Sequence, residues 1–260
     1  MLFAYPGEYE PCGLFTIDHF KLIIITVIGI LIALKKTVKK TKEEIKAIIK
    51  KCTKLIWILE VIIIAFKLKT GDIKNVNNYV PLYYCSLLLY AGALAAFTKG
   101  KLQRMGEVFF AVGGIAGGLI FIIMPTTSLP TYPMLHFVSL HSFLFHGIML
   151  YLGILVNVTN YITLQPTDIK YYASLVGIVC VLAYIMNNIF DSNLMFISKN
   201  FPGTPIEAIY TATGPFFTIV TSIAQMTLPF YTIYGMKYIL QKRPGFKCNK
   251  RDLVQNDGRK

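Results

Sequence analysis

An all-α membrane protein is the fold class that this sequence predicts, and three observations predict it. Hydrophobic residues make up 55% of the 260 and charged residues 15%, a composition too apolar for a soluble surface to cover. Several runs approach the roughly 20 apolar residues that cross a hydrocarbon core. These runs are continuous rather than alternating, which argues against a β-barrel. The expectation is a polytopic bundle of seven transmembrane helices: residues 1–240 form a single transmembrane helical domain and residues 241–260 a basic cytoplasmic tail.

Each span is bounded by charge or by Gly, Pro and Asn. The first, 19–34, opens at His19 behind Glu8, Glu10 and Asp18 and stops at Lys35. The second, 53–68, follows the lysine-rich connection and carries Glu60 near mid-depth. The third, 79–97, begins among Tyr79, Tyr83 and Tyr84, which suit an interfacial belt, and ends before Lys99. The fourth, 105–124, contains Gly113, Gly114, Gly117 and Gly118, whose small-xxx-small spacing allows close helix approach. No strand precedes these glycines, so they are not a dinucleotide fingerprint. The fifth, 135–156, holds His136, His141 and His146; the sixth, 171–190, closes on Asn187 and Asn188. The seventh, 214–240, opens at Gly214 and Pro215. Before it, the connection 191–213 with Pro202, Gly203 and Pro205 reads either as a lid or as an ordinary re-entrant turn.

Lysine and arginine set the orientation. The connection 35–54 carries Lys35, Lys36, Lys39, Lys40, Lys42, Lys46, Lys50, Lys51 and Lys54; the third connection has Lys99, Lys101 and Arg104, and the tail is basic. The loop 125–134 has no charge. An N-terminus outside and a C-terminus inside satisfy the positive-inside rule best, although Lys67, Lys69 and Lys74 fall on the outer side. The net charge of +13 sits in inner loops, where anionic inner-leaflet lipid is the expected partner and nucleic acid is not. Residues 37–51 read equally as a basic helix lying on that leaflet or as a solvated extension of the second span. The acidic start lacks the features of a cleavable signal, so the first span is expected to remain. Richness in Lys, Ile and Asn suggests an AT-rich bacterial genome, with the chain multi-pass in the cell membrane among membrane lipids.

Chemistry-bearing side chains gather on one side of this topology. At about 1.5 Å per residue, Cys85 lies about 9 Å below the outer end of its span, and His141 and His146 about 9 and 16 Å below theirs. His19 and His136 stand at the outer mouths, and Glu60 sits near mid-depth. Ionisable groups in a bilayer are costly and mark either a site or a tether between helices. Five residues separate successive histidines of the fifth span, rotating the rings about 140° apart, so that helix alone cannot gather a metal. A metal would need ligands from several helices, such as His146 with Glu60; neither a metal nor another cofactor is expected. Cys12, Cys52, Cys85, Cys180 and Cys248 show no zinc or redox spacing, and only Cys12 falls outside, so any cysteine chemistry rests on a single thiol. A thiol with an imidazole at comparable depth suits nucleophilic catalysis. A small buried hydrophobe and a helix tether remain the structural alternatives.

Collinear segments carry a family resemblance. They are Thr16-Ile17-Asp18-His19, Glu60, Pro81-Leu82-Tyr83-Tyr84-Cys85-Ser86, Phe145-His146-Gly147, Asn193-Leu194-Met195-Phe196 and Gly214-Pro215. In order and spacing the chain resembles the YwaF family of bacterial integral membrane proteins, itself similar to eukaryotic membrane acyltransferases thought to use a cysteine and a histidine. The resemblance implies Cys85 as nucleophile and His146 as base, with Glu60, His141, Asn193 and His19 in supporting or substrate-binding roles. The chain departs from the family pattern at Tyr83, where a histidine is often found. The function expected is lipid acyl transfer or hydrolysis through a cysteine thioester. The alternative is a non-enzymatic transporter or small-solute binder, which visible inverted repeats or broken helices would favour; a purely structural membrane subunit is the third reading.

Overall fold

The computed structural model describes residues 1–71 and 73–242, and all of its regular secondary structure is helical. The basic tail expected at 241–260 lies, beyond Lys242, outside the described residues. Helix α1 (Ile17–Thr37) starts where the Thr16 side chain caps the His19 amide; Asp18 in its first turn and Lys35 and Lys36 in its last complement the helix dipole. Helix α2 (Lys42–Thr70) opens with a capping box between Thr41 and Glu44. Its 29 residues make a rod about 43 Å long, beyond the ~30 Å of a hydrocarbon core. Of the two readings of residues 37–51, the continuous one holds from Lys42 on: the lysines begin the helix that carries Glu60.

The third passage differs from expectation. Only α3 (Leu87–Phe97) is α-helical; a single turn at Val76–Asn78, irregular backbone and a turn over 84–86 precede it. Pro81 has no amide hydrogen and so bars a helix from running through it, and the turns from Pro81 to Ser86 delay the start by six further residues. Cys85 therefore sits in the turn before a half-length helix rather than a third of the way down a full one.

Helix α4 (Gly100–Phe109), a π turn at Phe110–Gly114 and α5 (Ile115–Ile123) follow one another without interruption. Asn157 supports the π turn: its Nδ2 donates to the carbonyls of Ala111 and Gly153 at 2.8 Å each. Helix α6 (Phe137–Val158) is capped by His136, and α7 (Ile169–Phe190) ends on Asp191 in a left-handed conformation. The connection 191–213 contains a further helix, α8 (Pro205–Thr213). Gly214, at φ +51°, and Pro215 then separate it from α9 (Phe217–Lys242), so the last passage starts three residues later than its sequence suggests.

Among the described residues, five stretches are long and apolar enough to cross a membrane: Ile17–Thr37, Gly100–Ile123, Phe137–Val158, Pro166–Phe190 and Pro205–Leu240. The two remaining expected spans are α2, with its lysines, and the short α3. Ile24, Ile25, Ile28 and Leu31 on α1 and Ile178, Val181, Leu182 and Ile185 on α7 are exposed, as side chains facing acyl chains should be. Helix α6 is central, packed against α1, α2 and α5, while α3 contacts α2, α4 and α7. The glycines of the fourth passage do permit close approach. A Cβ on Gly114 would lie 3.2 Å from the Gly153 Cα, and one on Gly118 would lie 2.9 Å from the Leu150 amide nitrogen.

A polar network closes the lysine-rich end. Arg104 grips Asp168 with two hydrogen bonds of 3.0 and 2.5 Å and donates to the Thr163 carbonyl. Tyr161 donates to Glu107; burial, with the Glu107 carboxylate beside it, pushes the Tyr161 phenol up, so it remains a neutral donor. At the opposite end the N-terminal segment folds over the bundle: Cys12 and Gly13 amides donate to the carbonyls of Tyr132 and Leu129, and the Phe137 amide donates to that of Leu2.

Candidate functional site

Antiparallel packing of α2 against α3 sets the site. Trp57 Nε1 donates to the Leu89 carbonyl at 3.2 Å, and Thr53 fills the space beside Gly92. One turn further, the same register brings Glu60 to the level of Cys85, and the two are electrostatic neighbours. Lys67 follows Glu60 by seven residues, two helical turns, and so shares its face of α2. Lys67 is an electrostatic neighbour of Glu60 and of Cys85. The half-buried thiol thus meets an acid, a base and the start of a helix.

Helix α6 brings the imidazoles. His141 is buried, lies against the Leu59 carbonyl of α2 and feels the charge of Lys67. Its Nε2 has no hydrogen-bond partner. His146 is buried one and a half turns deeper, with Nδ1 2.7 Å from the Ser142 carbonyl oxygen. A carbonyl only accepts, so Nδ1 carries the hydrogen and Nε2 the lone pair of the neutral ring. That Nε2 is also without a partner. Phe121 of α5 stacks on the ring, with centroids 3.5 Å apart and planes 8° from parallel. Among the described residues no hydrogen bond joins His146 to the Cys85 thiol, and neither group is among the other's electrostatic neighbours.

His19, His136 and Asn193 are each hydrogen-bonded to backbone groups. His19 is fully buried; its Nδ1 accepts from the Phe15 amide and its Nε2 donates to the Ile122 carbonyl, each at 3.0 Å, tying α1 to the end of α5. His136 likewise accepts from the Val138 amide and donates to the Ala4 carbonyl, holding the N-terminal segment. Asn193 Oδ1 accepts from the amides of Ser198 and Lys199, and its Nδ2 donates to the Lys199 carbonyl. The side chain thereby organises its own loop. Beside Cys85, Tyr84 points inward to a 2.5 Å hydrogen bond with Tyr172, and Tyr83 turns the other way, donating to Asn77. Among the described residues no three His, Cys, Asp or Glu side chains gather as a metal-binding group.

Lys67 is the site residue that the sequence hides. On sequence it reads only as a charge against the orientation rule. Its seven-residue distance from Glu60 is the one signal that marks a shared face.

Beyond Lys67 a cavity of about 400 Å³ opens at the end of the bundle opposite the lysine-rich loops, lined by Tyr5, Pro6, Lys67, Thr70, Gly71, Asn78, Thr131 and Tyr132. The electrostatic neighbours thus gathered are a half-buried thiol, Glu60, Lys67 and the His141 imidazole, with His146 a turn and a half deeper on α6. The sequence model of the TMEM164 family matches residues 14–234, which include every one of these groups except Tyr5 and Pro6. No curated protein matches the chain, and no solved structure does.

Proposed function

This chain belongs to the TMEM164 family, and from that premise we propose that it is a multi-pass membrane enzyme that moves acyl chains through a thioester on Cys85. The observation that carries the reading is the setting of His146: Nδ1 is committed to the Ser142 carbonyl, and the buried Nε2 has no hydrogen-bond partner among the described residues. A nitrogen held so is a proton acceptor awaiting a donor. In the first step the Cys85 sulfur attacks an acyl ester. A carbon–sulfur bond forms, the carbon–oxygen bond breaks, and the thiol proton passes by way of His146 to the leaving alcohol. In the second, an acceptor alcohol or water attacks the thioester, gives its proton to His146, and the departing sulfur takes that proton back. Glu60 and His141 lie where they can orient the reacting groups; His19 and Asn193 act through the fold.

In this reading all seven helical passages cross the membrane, the lysine-rich loops face the cytoplasm, and the cavity at Lys67 opens outward. The address is the cell membrane of a bacterium. Anionic lipid of the inner leaflet meets the lysines of α2.

One observation favours a second reading, a transporter or solute-binding protein. The third passage is broken at its polar cluster, as are helices that coordinate solutes at mid-membrane. An acyl-phosphonate or thiol-reactive lipid probe separates the two. Labelling at Cys85 that an acyl donor suppresses supports the enzyme, whereas active membranes without label at Cys85, or a fully active Cys85→Ser protein, sink it.

A further inference from the structure

The cavity described above contains one cation, Lys67, and among its described lining residues no carboxylate. Lys67 is half-buried and forms none of the salt bridges found within 4 Å among the described residues. Glu60, two turns away on the same helix, is its electrostatic neighbour without being a contact partner. An ammonium group withdrawn from water without a close counter-charge is costly, and a ligand that supplies the charge recovers that cost. Tyr5, Thr70, Thr131 and Tyr132, which carry hydroxyls, also line the cavity. Thr70 donates its own hydrogen to the Phe66 carbonyl. A volume of about 400 Å³ admits a polar head and excludes the chains of a membrane lipid, which would lie outside it.

We infer that Lys67 is the anchor of an oxyanion site in this cavity, holding a singly charged phosphate or carboxylate group so that the rest of the ligand is directed toward Cys85. One cation with hydroxyl-bearing neighbours suits one negative charge spread over two oxygens. The role of the ligand as substrate rests on the acyl-transfer reading above; the anion site does not. Lys67 is a specificity-determining residue here, acting on the head of the ligand and not on its reacting carbon. The oxyanion reaches the site either as the head of an amphiphile or as a free ion.

Protection of lysines from reductive methylation, read by peptide mass spectrometry on the full chain in maltoside micelles, tests this. The probes are dihexanoylphosphatidylglycerol, hexanoate, inorganic phosphate and uncharged dihexanoylglycerol, with the exposed Lys69 as internal reference. A charged probe should slow modification of Lys67 about tenfold relative to Lys69, and the uncharged probe should leave it unchanged. Protection by phosphate or hexanoate equal to that by the phospholipid assigns the free ion, and protection by the phospholipid alone assigns the amphiphile. Equal protection by the uncharged probe, or none by any anion, overturns the site. Direct binding of the protecting probe should weaken about tenfold or more in Lys67→Gln and stay near wild type in Lys67→Arg, at unchanged thermal midpoints. Wild-type binding by Lys67→Gln would also overturn it. The same protection in Cys85→Ser keeps the two readings apart: the thioester can fail there while the anion site stands.

Discussion

The Nδ1 of His146 lies 2.7 Å from the backbone carbonyl oxygen of Ser142, one turn earlier in α6. This contact fixes which nitrogen of the ring holds the lone pair, and it does so whether or not a substrate is bound. If Cys85 and His146 act as one unit, Cys85→Ser and His146→Ala should each lower acyl transfer by about 10²–10⁴-fold. The double variant should then be little worse than either single one. Rates from purified protein in lipid nanodiscs check this; multiplicative losses would show that the two residues serve separate steps.

His19 provides a contrast, because both of its nitrogens are spent on backbone groups of α5 and of the segment before α1. Replacing it by Ala strands the Ile122 carbonyl and the Phe15 amide, a loss of about 1–3 kcal/mol. The thermal midpoint should fall, while probe labelling of Cys85 persists in the protein that remains folded. An unchanged midpoint would show that these contacts contribute nothing.

Gly118 faces the backbone of α6, and a Cβ there would meet Leu150 Cβ at 2.8 Å and its amide nitrogen at 2.9 Å. Gly118→Ala must push α5 and α6 apart and should cost about 1–3 kcal/mol. Gly29, on α1, has nothing within 4 Å of the same position. Gly29→Ala should be neutral or gain up to about 1 kcal/mol from helix propensity. Paired melting curves decide, and equal midpoints for the two variants would refute the close-packing argument.

Orientation can be mapped with single cysteines in a background lacking the native ones. Cysteine at Glu8 or Thr127 should react with an impermeant maleimide from outside intact cells, and cysteine at Lys42 only after permeabilisation. Labelling of the Thr127 position from the cytoplasmic side alone would place the Lys67 cavity, and with it the substrate entrance, on the inner face.

Long apolar runs made most of the helices legible, because a span in lipid must satisfy its backbone internally and so shows as an uninterrupted stretch. The third passage was not, although Pro81 stood in plain view within it. Hydropathy treats Val80 to Cys85 as one more part of an apolar run, whereas Pro81 only bars a helix from running through it, and the turns after it that delay the start to Leu87 carry no sequence signal of their own. Likewise, depth arithmetic put all four histidines on one side but could not separate their roles. His19 and His136 differ from His141 and His146 in what their ring nitrogens meet across the bundle, and those partners are over a hundred residues away in sequence: Ile122 for His19 and Ala4 for His136. Lys67 became readable only once α2 was a single rod, since Glu60 and Lys67 share a face only if no break lies between them.

The π turn at Phe110–Gly114 sets the rotational phase of everything after it. Such a turn accommodates one residue more than an α-helical turn does. Winding the same residues as a regular α-helix, with none removed, would rotate everything downstream by about 100°. Gly117 and Gly118 would then swing off α6, and Phe121 would leave the His146 ring it covers. The two hydrogen bonds that Asn157 donates around the wide turn thus hold in place the environment of an imidazole two helical turns away.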